Sequence, residues 1–139
     1  MNKPALQIKS PAPPDKSATL HDQLVATGQA LSKEQMRTFL LSIVAPDGHM
    51  QAACKGEIAF TSAHVSELWV DADTRGQGMG TKLLGAAEAH ARNHDCTRIH
   101  LETRNESARR LYERCGYHVF GRLHRYDGDQ AFYYMEKKL

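Results

Sequence analysis

A single α/β domain is the fold class the sequence predicts, and three observations predict it. The first half of the chain is dominated by strand-like runs, and in the second half helical and strand-like periodicities alternate. The 139 residues fall within the size of one domain. A composition of 41% hydrophobic and 24% charged residues is ordinary for a globular chain that buries its own core.

Four of the five prolines lie in the first fourteen residues. Residues 1–16 therefore read as an extended arm, with room for one short strand at Ala5–Lys9. The domain proper is expected over residues 17–139. Leu20, Leu24, Ala26 and Leu31 predict a helix from Ser17 to about Leu31, which Gly28 weakens. Ser32–Gln35 leaves little room for a second helix before the next strand.

Met36–Ala45 is apolar on both parities, Phe39, Leu41 and Ile43 on one and Leu40 and Val44 on the other, the pattern of a sheet-interior strand. Pro46-Asp47-Gly48 is a turn, since proline presets φ and glycine tolerates a positive one. A second strand is expected at His49–Phe60 and a third at Ala63–Val70.

Residues 79–94 predict a helix with Leu83, Leu84, Ala87 and Ala91 in one stripe and Lys82, Glu88 and Arg92 away from it. Arg98–Thr103 is a strand. Asn105 then caps a helix whose inner face carries Ala108, Leu111, Tyr112 and Cys115, with Gly116 as its stop. Tyr117–Leu123 and Ala131–Lys137 form a closing pair around the turn residues Asp127-Gly128-Asp129.

Charge and composition narrow the function classes. Eighteen Lys and Arg against sixteen Asp and Glu give a formal charge of +2, far from the basic footprint of a nucleic-acid binder. The longest apolar run, Phe39–Ala45, is interrupted by Ser42 and too short to span a bilayer, and Met1-Asn2-Lys3-Pro4 leads into no signal-like stretch. Cys54, Cys96 and Cys115 are widely spaced and fit a reducing compartment. A soluble cytoplasmic protein with no nucleic-acid or membrane partner is expected.

The informative segment runs from Ser66 to Lys82. A strand ends, a loop with Gly76, Gly78 and Gly80 follows, and a helix begins. Free backbone N–H groups at a helix start, aided by the helix dipole, make an anion cradle that glycines leave open to a phosphate. The spacing fits neither the dinucleotide pattern GxGxxG nor the Walker pattern, because Gly80 is followed by Thr81-Lys82 in the wrong order.

Arg75-x-x-Gly78-x-Gly80 after an apolar strand resembles the acyl-CoA pyrophosphate signature of the GCN5-related N-acetyltransferase (GNAT) superfamily. Asn105-x-x-Ala108-x-x-Leu111-Tyr112-x-x-x-Gly116-Tyr117 looks like that superfamily's second motif, in the right order and spacing. The close resemblance covers about residues 63–139. It implies a single-domain GNAT fold: a mixed, mostly antiparallel sheet of six to seven strands, splayed between its fourth and fifth members and flanked by helices. Here those two strands are Ala63–Val70 and Arg98–Thr103, and the N-terminal helical part is shortened.

The resemblance also implies acetyl-CoA as cosubstrate and direct acetyl transfer to a primary amine in a ternary complex. The backbone of Leu68, Trp69 and Val70 would hold pantetheine. The N–H groups of Arg75, Gly76, Gln77, Gly78, Met79, Gly80 and Thr81 would hold the pyrophosphate, and Asn105 would touch the pantetheine side. Val70 N–H is nominated for the oxyanion and Tyr112 for the proton given to the departing thiolate. Glu67 is the candidate base, with His64 behind it.

Strand parity groups Glu67 with Val65 and Trp69, unless a bulge intervenes. No acidic run marks a polycation site, so a small-molecule acceptor is favoured over a protein Lys or N-terminus. A non-catalytic acyl-CoA-binding module is the other alternative. His90 and His94 lack a third metal ligand and read as a packed pair, and no metal is expected. Cys115 reads as a small buried hydrophobe. Arg109, Arg110 and Arg114 with Glu106 and Glu113 read as a charged outer face. Exposed strands at the C-terminal end would permit a homodimer.

Overall fold

The computed structural model describes residues 3–139, and the chain separates into two compact units that meet in sequence between Gln35 and Met36. In the first unit, Lys3–Ser10 forms neither strand nor helix, so the strand allowed at Ala5–Lys9 is absent. Helix α1 runs Pro14–Ala26, earlier than the periodicity predicts. Pro14 sits in its first turn, where a missing N–H costs nothing, and Asp15 complements the dipole. Gly28, at φ +76°, ends it well short of Leu31.

The second unit is built on a six-stranded sheet. Its strands are β1 Arg37–Val44, β2 Met50–Ala59, β3 Ser62–Val70, β4 Arg98–Thr103, β5 His118–Asp127 and β6 Gln130–Lys138, in the spatial order β1-β2-β3-β4-β6-β5. Every neighbouring pair is antiparallel except β3 and β4. That parallel pair is joined through helix α2, Met79–Asn93, because a parallel connection needs a crossover. Helix α3, Glu106–Arg114, links β4 to β5.

Two residues stand where the local sequence pattern does not put them. Met36–Ala45 is not sheet-interior: β1 lies at the sheet edge, burying Phe39 and leaving Leu40 exposed. Glu88 does not lie away from the core but is 6% exposed. It tolerates burial because Lys137 and Tyr117 both donate to its carboxylate.

One face of the sheet carries the core. Ala52, Cys54 and Ile58 of β2, Ala63 and Val65 of β3, Ile99 and Leu101 of β4 and Met135 of β6 pack with Leu83, Leu84, Ala87 and Ala91 of α2. Gly56 belongs to this layer because there is no room for more: a Cβ there would strike the His64 carbonyl and the Phe39 ring.

Candidate active site

The central feature is a gap in the sheet. β3 and β4 pair only at Ser62–Arg98, Ala63–Ile99 and His64–His100. Beyond His64 and His100 the two strands part, and their facing edges have no ladder partner across the gap. Such an open edge is a template for an extended ligand, which can complete the hydrogen bonding that a missing strand would otherwise supply. Leu68, Trp69 and Val70 lie along it.

A bulge decides which way these residues point. Lys55 pairs with Glu67 while Gly56 pairs with Val65, so Ser66 is the extra residue. Before it, Ala63 and Val65 face the core; after it, Leu68 and Val70 do. Plain alternation would put Glu67 with Val65. The bulge instead puts Glu67 and Trp69, both exposed, on the outer face with His64.

At the open end of β3 the chain turns sharply. The Asp71 amide donates to the Gln51 carbonyl at 2.8 Å, and the Asp71 side chain caps the short 3-10 turn Ala72–Thr74. A hydrogen bond from His49 holds the Asp71 carboxyl below its ordinary range. Arg75 folds back so that Nε donates to the Val70 carbonyl at 3.3 Å, and its own N–H turns toward the Ala72 carbonyl.

From there the donors are free. None of the backbone N–H groups of Gly76, Gln77, Gly78, Met79, Gly80 and Thr81 meets an acceptor among the described residues. The first intrahelical bond of α2 runs from Lys82 N–H to the Gly78 carbonyl, 3.0 Å. Gly76 and Gly78, at φ +80° and +78°, adopt a backbone that other residues enter only at a cost, and open space surrounds both. Gly80 serves differently: a Cβ there would lie 3.1 Å from Leu111 Cδ2, so it sets the close approach of α2 to α3. A row of unpaired N–H groups at a helix N-terminus fits a pyrophosphate.

On the core side of the gap, α3 supplies Tyr112. Asn105 starts this helix as the sequence predicts, its Oδ1 accepting from Ala108 N–H at 2.9 Å. Gly116, at φ +93°, ends it. Tyr112 is 7% exposed, and burial pushes its phenol pKa up. Its hydroxyl has no partner among the described residues, yet no buried side-chain polar atom there is left unpaired. The hydroxyl therefore reaches a solvent-accessible point. Half-buried Cys115 sits beside the same loop, its thiol 3.9 Å from Thr81 Oγ1.

The outer side of the gap holds a cluster that local sequence patterns do not reveal. His64 Nδ1 lies 2.5 Å from Glu57 Oε1, and its Nε2 lies 2.7 Å from Glu102 Oε1. Glu57, His100 and Glu102 carry no motif, and only strand pairing across β2, β3 and β4 brings them to His64. Burial works against the charge on His64, but the two carboxylates outweigh it and hold its pKa above the ordinary value. His100 goes the other way, lowered by burial and then by the neighbouring His64 charge.

The remaining candidates lie outside the gap or on the surface of α3. His90 packs on Phe39 with ring centroids 5.0 Å apart, and His94 Nδ1 is bonded to the His90 carbonyl. Arg109 is paired with Glu106 and Glu113 along α3, while Arg110 and Arg114 are exposed. No helix among the described residues is long and apolar enough to cross a membrane.

Comparison with known proteins agrees with this architecture. A sequence model described as the acetyltransferase (GNAT) family matches residues 6–117. An acetyltransferase of Agrobacterium fabrum is 32% identical over 120 residues, covering 86% of this chain and 88% of that protein. A blasticidin-S acetyltransferase of Streptomyces morookaense is 37% identical over 73 residues, 52% of this chain and 54% of its own length. The crystal structure of a putative acetyltransferase from Agrobacterium tumefaciens superimposes with a TM-score of 0.84 at 29% identity, covering 100% of both chains. The chain belongs to the acetyltransferase (GNAT) family and is an acetyl-CoA-dependent N-acetyltransferase.

Proposed function

We propose that the chain transfers acetyl from acetyl-CoA to the primary amine of a small molecule, by direct attack in a ternary complex formed at the gap between β3 and β4. The observation that carries this reading is the row of unpaired N–H groups from Gly76 to Thr81 at the open end of that gap. They suit the pyrophosphate, while the open β3 edge at Leu68, Trp69 and Val70 suits the pantetheine arm. Asn105 uses its carbonyl oxygen as a helix cap, which leaves its amide N–H₂ to donate to that arm. The family match runs from residue 6 to 117, which supports a single acetyltransferase domain.

The chemistry assigns the remaining groups. An alkylamine with a pKa near ~10 arrives as an ammonium and must lose a proton before it can attack. Glu67 and His64 are the base candidates, and both stand on the outer face. Val70 N–H is the proposed donor to the oxyanion that forms at the thioester carbonyl. As the C–S bond breaks, Tyr112 gives its phenolic proton to the thiolate sulfur and recovers one from solvent. Burial keeps that phenol protonated until it is needed.

The small-molecule acceptor is supported by the relative named for blasticidin S. A cytoplasmic setting suits the supply of acetyl-CoA. The test is release of free thiol from acetyl-CoA with separate pools: small amines (spermidine, blasticidin S, an aminoglycoside, free amino acids) and Lys-bearing peptides. Release is expected with the small amines. Release confined to the peptides would contradict the acceptor assignment, and no release from any pool would contradict the transfer itself.

A further inference from the structure

His64 occupies the last paired position before β3 and β4 part, opposite His100. The two imidazoles stack, with centroids 4.7 Å apart and planes 16° from parallel. Both nitrogens of His64 meet carboxylates, Glu57 from β2 and Glu102 from β4, and both Glu102 oxygens lie within 3.0 Å of Nε2. The three side chains are 24%, 24% and 27% exposed.

A carboxylate only accepts. An imidazole between two carboxylates therefore satisfies both only as the doubly donating imidazolium. When neutral, it turns a lone pair toward one of them and seeks a proton. This is a base backed by two charges, and it sits where the sheet opens. None of the packing described above requires it there.

We propose that Glu57, His64 and Glu102 form the acid–base centre of the transfer: Glu102 meets the acceptor's ammonium at the gap, and His64, held by Glu57, takes its proton. The assignment rests on the transferase reading given above. One N–H bond of the ammonium breaks and its proton passes to the Glu102 carboxylate. Glu102 hands it to Nε2 of neutral His64, forming one N–H bond and restoring the carboxylate. The amine keeps its electron pair for the thioester carbonyl, and His64 later returns the proton to solvent.

Glu57 touches neither substrate and is a positioning residue. Glu67, exposed on the same face opposite Lys55 and in no ion pair among the described residues, draws the cationic acceptor in. The charged or titratable groups around His64 are Glu57 and, farther along the same face, Lys55 from β2, Glu67 from β3 itself, His100 and Glu102 from β4, and Tyr134 of β6 opposite Glu102. Glu136 of β6 lies opposite His100 and is engaged by Arg98 and His118. The elevated pKa of His64 agrees with this arrangement, and that of the stacked His100 is lowered, by burial first and the His64 charge second. His64, His100 and Glu102 also bring donor atoms within 4.8 Å of one another. Both His64 nitrogens, however, are already engaged by carboxylates.

The experiment has a spectroscopic arm and a kinetic arm. NMR titration of the imidazole Cε1–H signals, with His64 assigned through His64→Gln, is expected to give a midpoint above the usual ~6.5. Glu57→Gln should move it down. With the most active amine of the small-molecule pool, kcat should rise with pH through the same midpoint. Glu57→Gln should shift that limb to lower pH at unchanged KM for acetyl-CoA, and His64→Gln should lower kcat about 100-fold and abolish the limb. Turnover whose pH limb ignores Glu57→Gln overturns this centre while leaving the transferase reading intact. So does activity lost to a chelator and restored by zinc. Absence of turnover with every amine overturns both.

Discussion

Tyr117 donates its hydroxyl to Glu88 Oε2 across 3.1 Å, joining the turn after α3 to the middle of α2. Lys137 of β6 donates to the other Glu88 oxygen at 2.7 Å and to the Cys115 carbonyl at 2.8 Å. One buried carboxylate thus ties both helices of the second unit to a central strand. Replacing Glu88 by Leu leaves the Lys137 ammonium and the Tyr117 hydroxyl without their acceptor. A loss of about 2–4 kcal/mol is expected, measured as a fall in the urea midpoint. A loss below about 0.5 kcal/mol would show that water replaces the carboxylate freely.

Two glycines should respond in opposite directions. Gly85 lies exposed in the interior of α2 with nothing within 4 Å of its missing Cβ. Gly85→Ala should stabilise by about 0.5–1 kcal/mol through helix propensity alone. Gly56→Ala puts a Cβ into the His64 carbonyl and the Phe39 ring, next to the bulge that aims Glu67. It should destabilise by about 1–3 kcal/mol and lower activity as well. Thermal melts of the two variants check both signs. Equal effects would mean that the sheet gives way at Gly56 without strain.

The second unit was largely legible because its signals are local. The glycine loop, the Asn105 cap and the Gly116 stop each act within a few residues, and α2, β4 and α3 form where they predict. What escaped depends on partners distant in sequence. Glu88 looks like a surface residue until Lys137, 49 positions away, is folded against it. The facing of Glu67 depends on one extra residue, Ser66, that no alternation reveals. Glu102 reaches His64 from 38 positions away, through a strand pairing that only the topology creates. Apolar residues on both parities of β1 read as interior, whereas Leu40 is an exposed residue on an edge strand.

The pH dependence of stability follows from the His64 cluster. The folded pKa of His64 is raised, so its contribution to stability is fully present below the ordinary imidazole value. It is lost as pH rises through the folded value. The stability gap between the wild type and Glu57→Gln should therefore be larger at pH 6 than at pH 9, as read from urea unfolding at both. A gap that grows with pH would contradict a charged His64 between the two carboxylates.

Transfer at the gap with Tyr112 as the acid is best checked with Tyr112→Phe. The substitution keeps the ring that packs beside Tyr117, 6.1 Å between centroids, and removes only the unpaired hydroxyl. Calorimetric affinity for acetyl-CoA and kcat with the best small amine would be measured side by side. With Tyr112 as the acid, affinity should be unchanged and kcat lowered about 100-fold. An unchanged kcat would contradict that role, because the thiolate would then be taking its proton elsewhere.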